Sequence, residues 1–170
     1  DLIVFNNFDD LKIHAVYKNG VLVAKNGKPV YEEPLRPKSV LRSSVNIKWL
    51  EGDEFVYPKG KGKCRVMKIV PGQIVTRQLL LKPKLQEERI VSDTSRDILK
   101  ICVVERHTAS GRIGKGLVKG FGLKRGAVAT SIAHDSHNII VVGVDDDDIF
   151  QAVVRINKIG GGITVVVDNQ

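Results

Sequence analysis

The densest cluster of chemically reactive side chains lies in the segment from Ser131 to Asn138, Ser-Ile-Ala-His-Asp-Ser-His-Asn. It combines two imidazoles, a carboxylate, hydroxyls and an amide, which is more than a loop needs in order to turn. The segment falls between two predicted strands, and loops at strand ends commonly carry binding or catalytic groups.

Two interpretations of this segment are open. In the first, His134 and His137 bind a metal or a substrate heterocycle, while Asp135 orients one of the imidazoles. Asn138 then offers its amide to a polar ring edge. In the second, the same groups, Ser136 included, hydrogen-bond within the loop and lock its conformation.

A metal needs more ligands than the segment supplies. Two histidines three residues apart are only a fragment of a zinc site, and His107 is the remaining histidine that could complete it. His107 ends the triplet Glu105-Arg106-His107, which follows an apolar strand. At such a position the triplet is as often an interdomain ion pair as a catalytic group, and both interpretations stay open. The sequence therefore favours a polar packing loop or an active-site-facing loop, with no metal ligand on this chain.

The glycines between Gly111 and Gly126 are too loosely spaced for a phosphate-binding loop, and the pattern Gly-x-x-x-x-Gly-Lys-Ser/Thr is absent. Turns and close backbone approach explain them better.

The first part of the chain predicts a small β-meander. Its strands are expected at residues 2–5, 13–17 and 21–24, and Asn19-Gly20 and Asn26-Gly27 are strong hairpin dipeptides. Residues 29–39 hold several prolines and no periodicity, which indicates a connector. A domain boundary is therefore expected near residues 35 to 40, separating residues 1–35 from residues 40–170.

The second part predicts a strand-rich α+β domain that ends in a strand–helix–strand unit. The helix is expected from Asp145 to Ile159, because acidic residues begin it and glycines follow it, with a last strand at Ile163 to Val167. The runs Ile98–Val104 and Ile139–Val142 are apolar on both faces, which predicts a covering layer on each side. The other strands are expected at residues 45–49, 64–70, 74–81, 98–105, 116–121, 127–133 and 139–144.

Composition limits the classes of partner. The net charge of +8 allows contact with nucleic acid, but the basic residues are dispersed and few aromatic residues accompany them, so a nucleic-acid function is not favoured. Two isolated cysteines and the lack of a long apolar run predict a cytoplasmic protein with no membrane contact. Since residue 1 is aspartate and the only methionine is Met67, we expect the chain to be part of a longer polypeptide.

Four strings together resemble the C-terminal domain of bacterial and archaeal adenine deaminases, and the likeness extends over essentially the whole chain. They are Val104-Glu-Arg-His107, Gly116-Leu-Val-Lys-Gly-Phe-Gly-Leu-Lys-Arg-Gly126, Ala133-His-Asp-Ser-His-Asn138 and Ile159-Gly-Gly-Gly162.

The resemblance implies an enzyme of the amidohydrolase superfamily that converts adenine and water to hypoxanthine and ammonia in purine salvage. A metal-activated hydroxide in a (β/α)₈ barrel would do the chemistry, with manganese or iron as the metal. The paired HxH ligands of that barrel have no counterpart here, so this chain alone is expected to be inactive. Residues 1 to about 35 would be closing strands of the small β-sandwich that flanks such barrels.

Within that resemblance, the partners expected are the chain's own N-terminal barrel, adenine as the substrate, and other copies in a homo-oligomer. The segment His134–Asn138 and His107 are the candidate substrate-binding or active-site-facing residues. Two alternative functions remain: a basic nucleic-acid-binding module, and a self-contained metal hydrolase that uses His134 and His137.

Overall fold

A computed structural model describes residues 1–30 and 44–170. The chain divides into two compact units, Asp1–Val40 and Leu41–Gln170. The predicted domain boundary near residues 35 to 40, and most of the predicted connector, lie outside the described residues.

The first unit contains a four-stranded antiparallel sheet in the order β1-β2-β3-β4. Its strands are β1 Leu2–Phe5, β2 Ile13–Lys18, β3 Val21–Lys25 and β4 Lys28–Pro29. Asn19 and Asn26 have φ angles of 51° and 50°, and the glycine after each is also left-handed, as the hairpin prediction requires. The β-meander is confirmed.

Pro29 corrects one detail of the connector prediction. It lies opposite Ala24 in β4, an edge strand of the sheet. A proline is tolerated there because an edge strand can leave one side of its backbone unpaired.

The second unit is built on a seven-stranded sheet in the order β14-β12-β13-β10-β11-β6-β7, beside a three-stranded sheet in the order β5-β9-β8. All pairings are antiparallel except that of β6 with β11. The strands are β5 Tyr57–Pro58, β6 Cys64–Ile69, β7 Thr76–Leu81, β8 Lys84–Gln86, β9 Arg89–Val91, β10 Ile98–Val104, β11 Ile113–Lys119, β12 Ala127–Thr130, β13 Ile139–Gly143 and β14 Ile163–Val166.

The α-helix of this unit, α1, spans Asp146–Ile159. Asp145 caps it, since its side chain accepts a hydrogen bond of 2.8 Å from the Asp148 backbone N–H. Gly160, with φ 78°, ends it. The strand-rich α+β class and the closing β13–α1–β14 unit are therefore confirmed, with Asp145 as the cap rather than the first helical residue.

The predicted strand at residues 45–49 is wrong. This segment makes single hydrogen bonds with a loop, from Asn46 N to the Arg106 carbonyl at 2.7 Å and from Ala109 N to the Asn46 carbonyl at 3.0 Å. Because Arg106 and Ala109 lie in the loop after β10, residues 45–49 have no strand beside them with which to form a ladder of hydrogen bonds. The short strands β5, β8 and β9 were not expected, and β11 begins at Ile113 rather than Gly116.

Within residues 44–170, the prediction of a covering layer on both faces of β10 and β13 holds for one face. Helix α1 buries Ile149, Val153 and Ile156 in a large core that includes Cys102 and Val141. On the opposite face, Leu99, Val118 and Val142 form a second, small cluster. Leu123 and Val144 complete that cluster from the loops, and α1 contributes nothing to it.

Among the residues that the structure describes, no helix is long and apolar enough to span a bilayer.

Candidate functional site

The reactive segment forms the loop between β12 and β13, and its backbone is fixed at both ends. Ser131 N donates to the Gly162 carbonyl at 2.9 Å, and Gly162 N donates to Ser131 Oγ at 2.8 Å. His137 N donates to the Ala133 carbonyl at 2.7 Å, which closes the loop on itself. His137 has a φ of 51°, a conformation that Asn, Asp and Gly adopt more readily than other residues.

Arg106 holds the loop from outside. Its guanidinium donates from Nε to the His137 carbonyl and from Nη1 to the Ser44 carbonyl, and its backbone N–H lies 3.4 Å from Asn138 Oδ1. One planar cation therefore joins the loop to the segment after residue 43. Sequence reasoning did not identify Arg106 as a site residue.

His107 also meets the loop, since its Nε2 lies 2.9 Å from the Ser136 carbonyl oxygen. Because a carbonyl only accepts, this contact requires the proton on Nε2. The structure thus brings His107 together with the segment from His134 to Asn138, through a main-chain group of that segment.

Glu105 organises the loop that carries His107. Its carboxylate accepts hydrogen bonds from the backbone of His107, at 2.6 Å, and from the backbone and hydroxyl groups of Thr108 and Ser110. The Ser110 hydroxyl, followed by these backbone donors, holds the pKa of Glu105 well below its usual range. In the described residues the triplet Glu105-Arg106-His107 therefore holds its own loop and the loop after β12 in place. Arg106 donates to carbonyl oxygens there, whereas the predicted ion pair requires a carboxylate.

The side chains of the loop point to solvent. His134 Nε2 lies 3.4 Å from Asp135 Oδ1, and these side chains are 96% and 89% exposed. Ile132, beside them, is 70% exposed. Asn138 is half-buried and its side-chain oxygen faces Arg106, so its amide is less available than the imidazoles.

The described residues do not suit a metal ion. No group of three His, Cys, Asp or Glu side chains in residues 1–30 and 44–170 is placed to hold one. His107 faces a carbonyl and His134 pairs with its own neighbour, so the three histidines at this end of the sheet do not converge on one point.

A known protein family covers this loop and the residues around it. A family model described as the adenine deaminase C-terminal domain matches residues 73–170, more than half of the chain and all of the loop. The chain belongs to this family. The resemblance seen in its motifs is therefore confirmed.

Similar proteins extend the match over the whole chain. "Adenine deaminase 2" of Carboxydothermus hydrogenoformans is 39% identical over 170 residues. "Adenine deaminase" of Dehalococcoides mccartyi is 43% identical over 171 residues, and that of Petrotoga mobilis is 44% identical over 176 residues. Each alignment covers 100% of this chain but 30% of the relative, and the matched part is the C-terminal one. The chain thus spans about a third of the length of these relatives.

Proposed function

We propose that the chain is the accessory C-terminal part of an enzyme that hydrolyses adenine to hypoxanthine and ammonia. The names of its relatives and the share of their length that it matches support this proposal. The chemistry belongs to a metal-dependent barrel in the preceding part of the polypeptide, with manganese or iron as its metal. The first unit contributes closing strands of the β-sandwich beside that barrel, and the enzyme is a cytoplasmic homo-oligomer.

We further propose that the loop from His134 to Asn138 faces the active site of the complete enzyme without binding its metal. The observation that supports this proposal is the contrast between the main chain of the loop and its side chains. The main chain is held by Arg106, His107 and Ser131, whereas the side chains of His134 and Asp135 are almost fully exposed. A fixed backbone that presents free imidazole and carboxylate groups is preorganised for a ligand from outside this domain.

Adenine is a fitting ligand for such groups. Its ring nitrogens accept hydrogen bonds and its exocyclic amine donates them, and imidazoles and a carboxylate supply the matching partners. A loop laid over the barrel opening also excludes bulk water from the reacting hydroxide. The proposed role is therefore substrate positioning and closure of the site.

The test uses the full-length enzyme with Asp135→Ala and His137→Asn. Asparagine suits position 137 because it tolerates the φ of 51° there, and both substitutions leave the main-chain contacts of the loop in place. Each should lower kcat/KM by more than tenfold, or more than about 1.4 kcal/mol of transition-state stabilisation. Asp9→Ala, which removes an exposed carboxylate in a turn of the first unit, is the matched control and should leave kcat/KM unchanged.

Folding, oligomer size and barrel metal content are measured for each variant. If activity survives Asp135→Ala and His137→Asn, or falls only together with stability, the loop is a structural element of a domain interface and the proposal fails.

A further inference from the structure

The face of the seven-stranded sheet opposite α1 carries two rows of residues that cross five strands and are apolar except at Thr130. One row is Gly116, Ile101, Val142, Val128 and Val165, and the next is Gly114, Val103, Ile140, Thr130 and Ile163. These two rows are called the open face below. Neither contains a charged side chain, whereas an antiparallel sheet that meets water normally alternates apolar and polar residues.

Within residues 44–170, the open face is covered at one end only. Leu123 and Val144 pack near Leu99 and Val142, which are 0% and 4% exposed. At the far edge, Ile163 and Val165 in β14 are 62% and 61% exposed. A continuous apolar surface of this kind marks an interface rather than a solvated surface.

Two glycines give a second, independent indication. Gly114 and Gly116 lie inside β11 without a positive φ, so the backbone does not require glycine there. A Cβ at Gly114 would lie 3.8 Å from Val103, and one at Gly116 would lie 3.5 Å from Ile101, both ordinary contacts. Glycine destabilises a strand interior, so its use where a side chain fits indicates close approach by a surface outside this domain.

A cleft on the same side adds shape and charge to the surface. It has a volume of about 330 Å³ and is lined by Met67, Ile101 and Gly116, with Arg65 as the cation on this side of β6. The lining contains no carboxylate. A partner that fits presents an apolar patch with an acidic group near Arg65 of β6.

We propose that the open face is the docking surface for the preceding, barrel-bearing part of the same polypeptide. This chain matches 30% of the length of its relatives, so a much larger segment precedes it in them. Two rows without a charged side chain suit a permanent interface, and covalent attachment gives the preceding segment a high effective concentration.

The loop 131–138 lies where a catalytic segment docked on the open face would reach it, and this step rests on the proposed function. The second row reaches Thr130, and the loop 131–138 leaves the sheet directly after it. A body that covers Ile140 and Ile163 therefore lies beside the loop. The same docking brings His134 and Asp135 to the catalytic part.

The test is site-specific photo-cross-linking in the full-length enzyme, with p-benzoylphenylalanine in place of Val165. Val165 is exposed in this domain, so the fold should tolerate the new side chain. Peptides cross-linked to position 165 should come from residues that precede Asp1, with a yield that is unchanged on hundredfold dilution. The same group in place of Lys158, an exposed residue of α1, is the control and should give at least tenfold less of these products.

Cross-links from position 165 only to residues 1–170, whether of the same or a second copy, would overturn the proposal. So would a yield no higher than that of the Lys158 control. Cross-linking requires no turnover, so docking can be established even if Asp135→Ala and His137→Asn leave activity intact, and the two proposals fail separately.

Discussion

His107 and Ser136 join the two loops of the candidate site, since the imidazole Nε2 lies 2.9 Å from the Ser136 carbonyl oxygen. A hydrogen bond of this kind contributes about 1 kcal/mol, and here its effect is local because both residues are exposed. His107→Ala should speed amide hydrogen exchange in residues 134–138 while the unfolding midpoint of the chain changes little. His107→Gln, which keeps an N–H near the position of Nε2, is the control and should restore most of the protection. Equal exchange in the two variants would contradict this role.

Arg106 should resist replacement by lysine. Its planar guanidinium reaches the His137 and Ser44 carbonyls at once, whereas a lysine ammonium is a single point of donation and cannot span both. In the full-length enzyme, Arg106→Lys should lower kcat/KM about as much as Arg106→Met, on the order of tenfold, or about 1.4 kcal/mol. Lys124→Met, at an exposed lysine of another loop, is the control. Full activity in Arg106→Lys would show that the positive charge alone suffices.

Glu105 should make the loop that carries His107 sensitive to acid. Hydrogen bonds from Ser110 and its neighbours lower the pKa of this carboxyl in the folded protein, so the stabilisation is fully present above the unfolded pKa of about 4.3. It is lost as pH falls through the folded pKa. The difference in unfolding free energy between the parent chain and Glu105→Gln should therefore be largest at neutral pH and shrink below about pH 4.3. Urea unfolding at several pH values measures it, and a difference that grows on acidification would contradict the assignment.

The helix and the candidate loop were predictable because their signals are local. Asp145 and Gly160 lie at the two ends of one segment, and the groups of residues 131–138 are contiguous in sequence. The order of the sheet was not predictable in the same way. The parallel pairing of β6 with β11 joins Val66 to Leu117, and no local pattern specifies a partner that distant.

The supports of the loop were missed for a related reason. Arg106 bonds carbonyl oxygens of residues 31 and 62 positions away, and every residue offers such an oxygen. Side-chain chemistry in the sequence therefore identifies the groups that a site presents, but not the main-chain acceptors that hold them.

Gly143 and Gly116 should respond oppositely to alanine in this chain. A Cβ at Gly143 would overlap Ile149 of α1 and lie 2.8 Å from the Ala127 Cβ, so helix and strand would have to separate. Gly143→Ala should therefore destabilise the domain by about 1 to 3 kcal/mol, the usual cost of overpacking a core. Gly116→Ala meets only an ordinary contact of 3.5 Å with Ile101 and should be neutral or more stable by up to about 1 kcal/mol. Urea unfolding of both variants measures the contrast, and equal midpoints would contradict the close packing of α1 on β13.

Lys100 is a cation inside the core of the second unit, in the middle of β10. The residue is 1% exposed, and its ammonium forms an ion pair with Asp146 at the start of α1. The Phe55 carbonyl, 3.3 Å from Nζ, and the Tyr57 ring, whose centroid is 4.7 Å away, complete its surroundings. The pair therefore links the central strand to the first turn of the helix, and breaking it from either side has different consequences.

Asp146→Ala should be the more damaging of the two changes, because it leaves a buried ammonium with one carbonyl and an aromatic face as partners. Removing one member of a buried pair costs about 3 to 5 kcal/mol, and the lower end applies because the Asp146 side chain is 29% exposed. Lys100→Met should cost less, since the apolar stem still packs and the remaining carboxylate can reach water. Asp147→Ala, at an exposed position in the same helical turn, controls for the loss of negative charge near the helix N-terminus and should cost at most about 1 kcal/mol. Urea unfolding of the three variants should give the ranking Asp146→Ala, Lys100→Met, Asp147→Ala in decreasing destabilisation. Because methionine keeps the apolar stem, a larger effect for Lys100→Met than for Asp146→Ala would show that the Phe55 carbonyl and the Tyr57 ring, not Asp146, are the main partners of the ammonium.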